Sequence, residues 1–392
     1  MAGKASPRPR IRCFLADRWH PAAPGNPLWD ASLPLTAEGA AAPGSAALSY
    51  GTYFEAVRRF LATDDWVDLR ARFSPSADPL AAVDIYLVKH GACYHPARVV
   101  ARVGSRRRVL VVNAAVSPMG RSVLARETEW LRLLEARFGL HRLPAVHACR
   151  SVALPDGRRL PMFLGRWFEG FHEFHLSDGD GGRNLVAWAP RGPLPLTAPQ
   201  RRDLYRQAAL ILTACYDLET GGCIADWSHA AGDFVVRPRD DGRVDLRLIT
   251  VRDYRPLLGG APPEPGALLP ALALFLVRLS LDLRLDRLDG VGAFALAGPE
   301  VLDGVVEGFF QALARKVSRR EWPAALLAAA AAHLSAYSAA DLSELTAAMT
   351  GRRPSGDPLR GVAGPRAAQH ARRLQAAVAV GVQRQMAHYI RR

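Results

Sequence analysis

A short segment in the middle of the chain carries the side chains best suited to chemistry. Asp226, Asp233 and Asp253 are carboxylates, and Ser228 and His229 lie between the first two. Carboxylate oxygens are hard ligands that suit Mg²⁺, and an aspartate or a histidine can take up a proton as a general base. A serine hydroxyl has no accessible basic form at neutral pH. Side chains of these types could therefore bind a cation or take part in proton transfer.

The elements around this segment are predicted to be short strands preceded by a long helix. Residues 234–236 and 244–250 are rich in apolar and β-branched residues, and an Asp-Asp-Gly sequence between them is typical of a hairpin turn. A helix is predicted over 199–218, with Thr197 as its N-cap. The helix ends at two glycines just before the first aspartate, so the candidate side chains lie on strand ends and turns.

The preceding part of the chain predicts a small sheet with one helix. Residues 82–116 contain three β-branched runs separated by turn residues, and strand patterns recur at 146–153 and 159–167. Between them, residues 121–138 have the apolar spacing of an amphipathic helix. The predicted order is strand, strand, strand, helix, strand, strand.

The remaining segments show less regular patterns at the start of the chain and helical patterns at its end. Residues 1–50 are rich in Pro, Ala and Gly and predict an irregular extension. A polar, glycine-rich stretch within 171–196 predicts a loop. Beyond residue 254, helices are predicted at 268–281, 301–317, 322–349 and 365–390.

The composition limits which binding partners and which cellular compartment we expect. The net charge is +14, but the basic residues are dispersed, and the lysines are only Lys4, Lys89 and Lys316, which indicates GC-rich codon usage. The sequence therefore argues against a nucleic-acid partner, although nucleotide binding stays open. The chain has no apolar run of about 18 residues and no secretory signal, so we expect a cytoplasmic protein without a membrane span.

The order of these elements resembles the protein-kinase-like superfamily, and in particular its bacterial aminoglycoside-phosphotransferase-like and lipopolysaccharide-kinase-like branches. The resemblance covers roughly residues 82–340. It implies a two-lobed α+β fold with a five-stranded antiparallel N-lobe that carries one helix, and a mainly helical C-lobe. It divides the chain into an irregular extension (1–50), an N-lobe with preceding helices (51–170), a loop insertion (171–196), a helical C-lobe (197–350) containing the catalytic-loop-like segment 222–255, and a C-terminal helix (351–392).

The resemblance assigns roles within the segment of aspartates. In that family a catalytic loop of the form His-x-Asp-x-x-x-x-Asn precedes a strand; its Asp receives the acceptor proton and its Asn holds Mg²⁺. Aligned on the strand at 234–236, the Asn position is Asp233, the Asp position is Ser228 and the His position is Asp226. Asp233 is thus implied to hold Mg²⁺, while the base would have to be Asp226 or His229.

A second metal ligand has two candidates. The family places an aspartate of an Asp-Phe-Gly motif after the next strand. Thr250 occupies that position if the hairpin has ordinary length, whereas Asp253, three residues later, keeps the order of acid then aromatic residue. With Thr250 at the position, a main Mg²⁺ ligand is missing.

The nucleotide side also departs from the family pattern. The family's third strand carries a lysine that pairs with the phosphates and with a helix glutamate, but Asn113 stands there and none of the lysines lies on that strand. Glu127 is the implied paired glutamate, with Glu129 as the alternative. Lys89, in the turn after the first predicted strand, offers another route to phosphates. Trp167 begins a segment that resembles the linker contacting adenine.

These departures lead to one preferred function and two alternatives. Asn113, Ser228 and Thr250 each lack a group on which phosphoryl transfer relies. The sequence therefore favours a pseudokinase that acts as a binding or regulatory module with a protein partner. The first alternative is an active phosphotransferase using ATP and Mg²⁺ at a rearranged site of three aspartates, acting on a sugar, lipid-linked glycan or small molecule. The second is a basic scaffold for nucleic acid or an anionic membrane.

Overall fold

The computed structural model describes residues 8–15, 20–34, 48–73, 78–91, 93–139, 142–179, 182–257 and 264–390. The chain is a mixed α+β protein. It divides into two compact units: an N-terminal unit of Met1–Leu133 and Pro144–Glu169, and a C-terminal unit of Leu134–Leu143 and Gly170–Arg392.

The described residues of the N-terminal unit form a seven-stranded sheet. Its strands are β1 (Arg10–Leu15), β2 (His20–Ala22), β3 (Leu80–Leu87), β4 (His95–Val103), β5 (Arg106–Ala114), β6 (Val146–Ala153) and β7 (Arg159–Arg166). Their spatial order is β2-β1-β3-β4-β5-β7-β6. Neighbouring strands are antiparallel, except that β1 pairs in parallel with β3.

The prediction of five strands was short by two. Strands β1 and β2 lie within residues 1–50, for which we predicted an irregular extension. In the parallel pair, Arg12 is the register partner of Asp84, and its guanidinium donates to the buried carboxylate at 2.7 and 2.9 Å. The pattern was missed because arginines interrupt the apolar run of β1, and the buried partner of Arg12 lies 72 residues away.

Four helices accompany this sheet in the described part of the chain: α1 (Pro27–Asp30), α2 (Tyr50–Leu61), α3 (Val67–Arg70) and α4 (Pro118–Phe138). Helix α2 begins at Ser49, whose side chain accepts from the backbone N–H of Thr52 at 3.1 Å. It covers the sheet with fully buried Tyr53, Phe54 and Phe60. Helix α4 belongs to the N-terminal unit as far as Leu133.

The C-terminal unit begins with a small antiparallel sheet where we predicted a loop insertion over 171–196. Its strands are β8 (Phe174–Gly179), β9 (Gly182–Ala189) and β10 (Gly192–Pro195), in the order β10-β9-β8. Gly182 and Gly192 have φ of 93° and 126°, values that favour glycine. The glycines that suggested a loop are therefore strand-end residues.

Three two-stranded ribbons follow in the described residues of this unit. Strand β11 (Gly222–Ala225) pairs with β14 (Asp253–Pro256), and β12 (Phe234–Pro238) pairs with β13 (Val244–Leu248) across the predicted hairpin. The third ribbon joins β15 (Leu285–Arg287) to β16 (Phe294–Leu296).

The helices of this unit are α5 (Ala198–Ala214), α6 (Leu268–Asp282), α7 (Leu302–Ser318), α8 (Ala324–Ala336), α9 (Ala339–Gly351), α10 (Pro358–Ala363) and α11 (Ala367–Ile390). Thr197 caps α5 as predicted, in a reciprocal capping box with Gln200. The single helix predicted over 322–349 is two helices, because Ser338 forms a capping box with Asp341 and starts α9.

No single helix among the described residues is both long and apolar enough to cross a membrane. Helices α8 and α9 together have the length and apolar composition of a membrane span, but their axes differ in direction by 95°.

Candidate functional site

Asp233 is the central carboxylate of the candidate site. It directly precedes β12 and is only 2% exposed. Its Oδ2 accepts from the backbone N–H of Ser228 at 2.8 Å. Both carboxylate oxygens also accept from the guanidinium of Arg252, one from each terminal nitrogen. The result is a bidentate, charge-assisted pair at a buried position.

The tight turn between β11 and β12 holds Asp233 in this place. Asp226 begins the turn with φ of 56°, a left-handed conformation that aspartate tolerates better than most residues. A short 3₁₀ helix follows, and Gly232 closes it with φ of 66° while its N–H donates to the carbonyl of His229 at 2.8 Å. The turn therefore directs the Asp233 carboxylate back onto the Ser228 amide.

Arg252, which immediately precedes β14, and Arg255 within β14 contact the three aspartates. Arg252 also donates to the backbone carbonyl of Asp226 at 2.9 Å. Arg255 contacts Asp226 Oδ1 at 3.1 Å and Asp253 Oδ2 at 3.3 Å. The pairing of β11 with β14 produces these contacts, because Ala225 is the register partner of Asp253. Arg255 thus bridges the carboxylates of Asp226 and Asp253, while Arg252 joins the Asp233 carboxylate to the backbone of Asp226.

These donor atoms do not fit a magnesium ion in this arrangement. Magnesium requires carboxylate oxygens free to complete an octahedral shell, and both oxygens of Asp233 are engaged by Arg252. Among the described residues, no group of three or more His, Cys, Asp or Glu side chains could hold a metal ion. Thr250, half-buried after β13, and Asp253, the first residue of β14, flank Arg252 in sequence.

His229 lies in an aromatic cluster. The ring is 2% exposed and its centroid is 5.2 Å from that of Phe174, 5.7 Å from Trp227 and 5.2 Å from Phe234. Neither ring nitrogen has a hydrogen-bond partner among the described residues. Burial lowers the pKa of His229 to about 4. The imidazole is therefore neutral and enclosed, which suits packing better than proton transfer.

Glu127, the implied partner of the missing lysine, bonds to a tyrosine. Its side chain is 1% exposed on α4, and its Oε2 accepts from the hydroxyl of Tyr94 at 2.5 Å. The Tyr94 ring packs edge-on against Phe163 of β7, with centroids 6.1 Å apart. A neutral hydroxyl therefore meets this carboxylate within the N-terminal unit.

The bulky loop between β3 and β4 packs on the start of α4, which brings Tyr94 to Glu127. Ser117 accepts from the amide of Gly120 at 3.0 Å, and its hydroxyl donates to the carbonyl of Cys93 at 3.5 Å. A Cβ atom on Gly120 would collide with that carbonyl. Only glycine at this position allows the loop to lie so close to the helix.

The other candidates from the nucleotide side also belong to the N-terminal unit. Asn113 is half-buried on β5, opposite Pro96 of β4 and Phe163 of β7. Lys89 is exposed in the loop after β3, and Trp167 is half-buried after β7. Asp226, Ser228, His229, Asp233, Thr250 and Asp253 all belong to the C-terminal unit.

Sequence reasoning missed Arg252, Arg255 and Tyr94. One signal was present: Arg252 stands between Thr250 and Asp253, the two candidate metal ligands. Their roles depend on strand register and on loop packing, which no local pattern reveals.

No protein-family model matches this chain, and no curated protein matches it in sequence. Among solved structures, one match is described as WaaP in complex with acyl carrier protein. It covers 59% of this chain and 81% of that chain, with 16% sequence identity and a TM-score of 0.28. A TM-score of that size does not establish a shared fold.

Proposed function

We propose that this chain is a kinase-like protein with a degenerate phosphotransfer site, and that it acts as a binding or regulatory module. The order of its own elements supports the first part. Strands β3 to β5, helix α4 and strands β6 and β7 precede the long helix α5, which is followed by β11, a turn and the β12–β13 hairpin. The observation that carries the second part is the bidentate contact of Arg252 with Asp233.

A guanidinium on Asp233 supplies the positive charge that a metal ion would supply, but it cannot act as one. Arginine offers donors only and cannot bridge the carboxylate to phosphate oxygens as a divalent cation does. For a metal to enter, Arg252 would have to leave a carboxylate that is 2% exposed. The bound metal would have to replace this contact, since removing one partner of a buried pair without replacing its charge costs about 3 to 5 kcal/mol.

The contact of Tyr94 with Glu127 supports the same proposal. In active members of the resembled family, a lysine between the glutamate and the phosphates places a positive charge beside the nucleotide. A tyrosine hydroxyl can satisfy the buried carboxylate but carries no charge to offset a phosphate. The contact therefore does not supply the positive charge that the family's lysine places beside the nucleotide.

The candidate general bases also support a degenerate site. Ser228 cannot act as a base, and His229 is enclosed by aromatic rings. Asp226 remains accessible, but it shares the guanidinium of Arg255 with Asp253. An active phosphotransferase would need these contacts to rearrange together, so the binding module is the better supported function.

Titration with ATP tests this proposal by thermal shift and calorimetry, with MgCl₂, with MnCl₂ and with EDTA. We expect the wild-type protein to show no metal-dependent stabilisation by ATP. Arg255→Gln serves as the control variant, because it removes an exposed guanidinium three residues after Arg252 and leaves Asp233 in place. Metal-dependent stabilisation of the wild type that Asp233→Asn abolishes would contradict the proposal and support an active kinase site.

A further inference from the structure

A cavity of about 430 Å³ lies beside the first strands of the N-terminal unit, and its lining includes Ile11, Cys13, Ala23, Trp29 and Phe54. We call it the N-terminal cavity. We propose that the N-terminal cavity binds an uncharged, planar, apolar small molecule. None of its described lining residues is a candidate catalytic, nucleotide or metal residue, so the proposal is independent of the degenerate site.

Trp29 of α1 and Phe54 of α2 form an aromatic wall of the cavity. Their rings are stacked, with centroids 6.2 Å apart and planes inclined by 18°. The indole of Trp29 also lies directly on Gly51 of α2, where a Cβ atom would collide with it. Phe54 itself is fully buried in the core of the unit. The wall therefore has a fixed orientation and leaves the cavity open beside it.

Strand β1 contributes apolar surface from Ile11 and Cys13. These two residues share one face of the strand, because side chains alternate along it, and both pack against the core. Burial raises the pKa of the Cys13 thiol to about 12, so this side chain is uncharged at neutral pH. A protonated thiol behaves as a small apolar group. This side of the cavity therefore offers no charge to a ligand.

The charged side chains among the described lining residues are Arg12, Glu55 and Arg58, and each is already paired. Arg58 donates to Glu55 from Nε at 2.9 Å and from one terminal nitrogen. Arg12 donates to both carboxylate oxygens of Asp84 at 2.7 and 2.9 Å. A charged ligand would have to compete with these ion pairs and lose its own hydration. An uncharged ligand avoids both costs.

The size and lining of the cavity match those of sites for small organic molecules. Such sites have volumes of about 300 to 1,000 Å³ and are lined mainly by apolar and aromatic side chains. A flat ring can pack against the rings of Trp29 and Phe54 in the offset or edge-on arrangements that aromatic groups prefer. Pro21, Ala23 and Pro24 line the cavity and are exposed, so a ligand can enter from solvent beside them.

Fluorescence titration of the full chain with two matched probes tests this inference. N-phenyl-1-naphthylamine is planar and uncharged, and 8-anilinonaphthalene-1-sulfonate has the same aromatic body with a negative charge. We expect saturable binding of the uncharged probe at one site per chain, and an affinity about tenfold weaker for the anionic probe. Glu55→Gln removes the partner of Arg58. It should strengthen binding of the anionic probe about threefold and leave that of the uncharged probe unchanged.

Obstruction of the entrance locates the binding site. Ala23→Trp places a large ring at the exposed mouth of the cavity and should weaken binding of the uncharged probe at least about tenfold. Ala125→Trp is the matched control, because Ala125 is equally exposed on α4 but does not line the cavity. Pro24→Trp gives a second obstruction if Ala23→Trp does not fold, as judged by circular dichroism.

Three results would overturn the proposal. The first is no saturable binding of the uncharged probe to the wild type. The second is equal affinity of the wild type for the two probes, which would indicate adsorption to apolar surface without selection against charge. The third is wild-type affinity for the uncharged probe in a folded variant with an obstructed entrance, which would place the bound probe elsewhere.

Discussion

The guanidinium of Arg252 contacts both carboxylate oxygens of the buried Asp233. The same guanidinium bonds the backbone carbonyl of Asp226, so one side chain closes the turn at both ends. Asp233 in turn accepts from the Ser228 amide. The geometry of the turn therefore depends on an arginine that immediately precedes β14 and is distant from the turn in sequence.

Replacing Arg252 should destabilise the protein strongly. In Arg252→Ala the carboxylate of Asp233 stays buried with its charge partner removed, and we expect a loss of about 3 to 5 kcal/mol in the free energy of unfolding. Urea denaturation followed by circular dichroism measures this loss. Arg255→Ala should cost no more than about 1 kcal/mol, because its pairs are half-exposed.

A double replacement isolates the pair itself. Removing both charges in Arg252→Met with Asp233→Leu should recover part of the stability lost in Arg252→Ala, because no unpaired buried charge remains. Equal losses in Arg252→Ala and Arg255→Ala would show that Arg252 contributes only as a surface residue.

The hydroxyl of Tyr94 should matter more than its ring. Tyr94→Phe keeps the edge-on packing against Phe163 but removes the donor to Glu127. We expect a loss of about 1 to 3 kcal/mol in the free energy of unfolding, the usual cost of removing a hydrogen-bond donor from a buried acceptor. Chemical denaturation measures the loss. In a Glu127→Leu background the same tyrosine change should cost much less, and an undiminished cost would contradict the role of this hydrogen bond.

Close packing of α5 on α7 requires glycine on α7. A Cβ atom on Gly308 would collide with the carbonyl oxygen of Arg206, which is backbone and cannot move aside. Gly308→Ala should therefore cost about 1 to 3 kcal/mol through overpacking. Gly351, at the end of α9, has nothing within 4 Å of such an atom. Gly351→Ala should change stability by no more than about 1 kcal/mol, and similar effects of the two alanines in denaturation would refute this packing.

Local patterns predicted the elements whose causes are local. Thr197 starts α5 through its own capping box, and the turn between β12 and β13 follows from Asp and Gly residues within it. Strand β1 could not be found in this way, because its buried contact is with Asp84. The break between α8 and α9 was not predicted. In an alanine-rich run the apolar residues form no periodic pattern, so no change of pattern marks the helix cap.

The candidate site was predictable only in part for the same reason. The resemblance implied that Asp233 holds Mg²⁺, whereas its carboxylate contacts Arg252, whose position depends on the register of β11 with β14. That register brings residue 252 to the turn. The choice of Tyr94 as partner for Glu127 likewise depends on how a loop packs on α4. Both contacts join residues that are distant in sequence, so motif spacing alone does not reveal them.

Three buried histidines predict a loss of stability in mild acid. Burial lowers the pKa of His95 and of His229 to about 4 and that of His370 to about 3. An unfolded histidine titrates near pH 6.5. Below that pH the unfolded chain takes up protons that the folded chain does not, so stability falls as pH decreases from about 6.5 to about 4. Above pH 6.5 both states are neutral at these residues and the effect vanishes.

A substitution at the enclosed His229 can isolate the contribution of this histidine to the pH dependence of stability. Each such histidine adds a slope of about 1.4 kcal/mol per pH unit within that window. His229→Phe places an apolar ring among aromatic neighbours and removes no hydrogen bond to a described residue. We expect the free energy of unfolding at pH 7.5 to be unchanged or higher. Between pH 6 and 4.5 its dependence on pH should be weaker by the contribution of one histidine, as measured by urea denaturation at several pH values. A variant that is destabilised at pH 7.5 and keeps the wild-type pH dependence would contradict the prediction that His229 takes up a proton only in the unfolded chain.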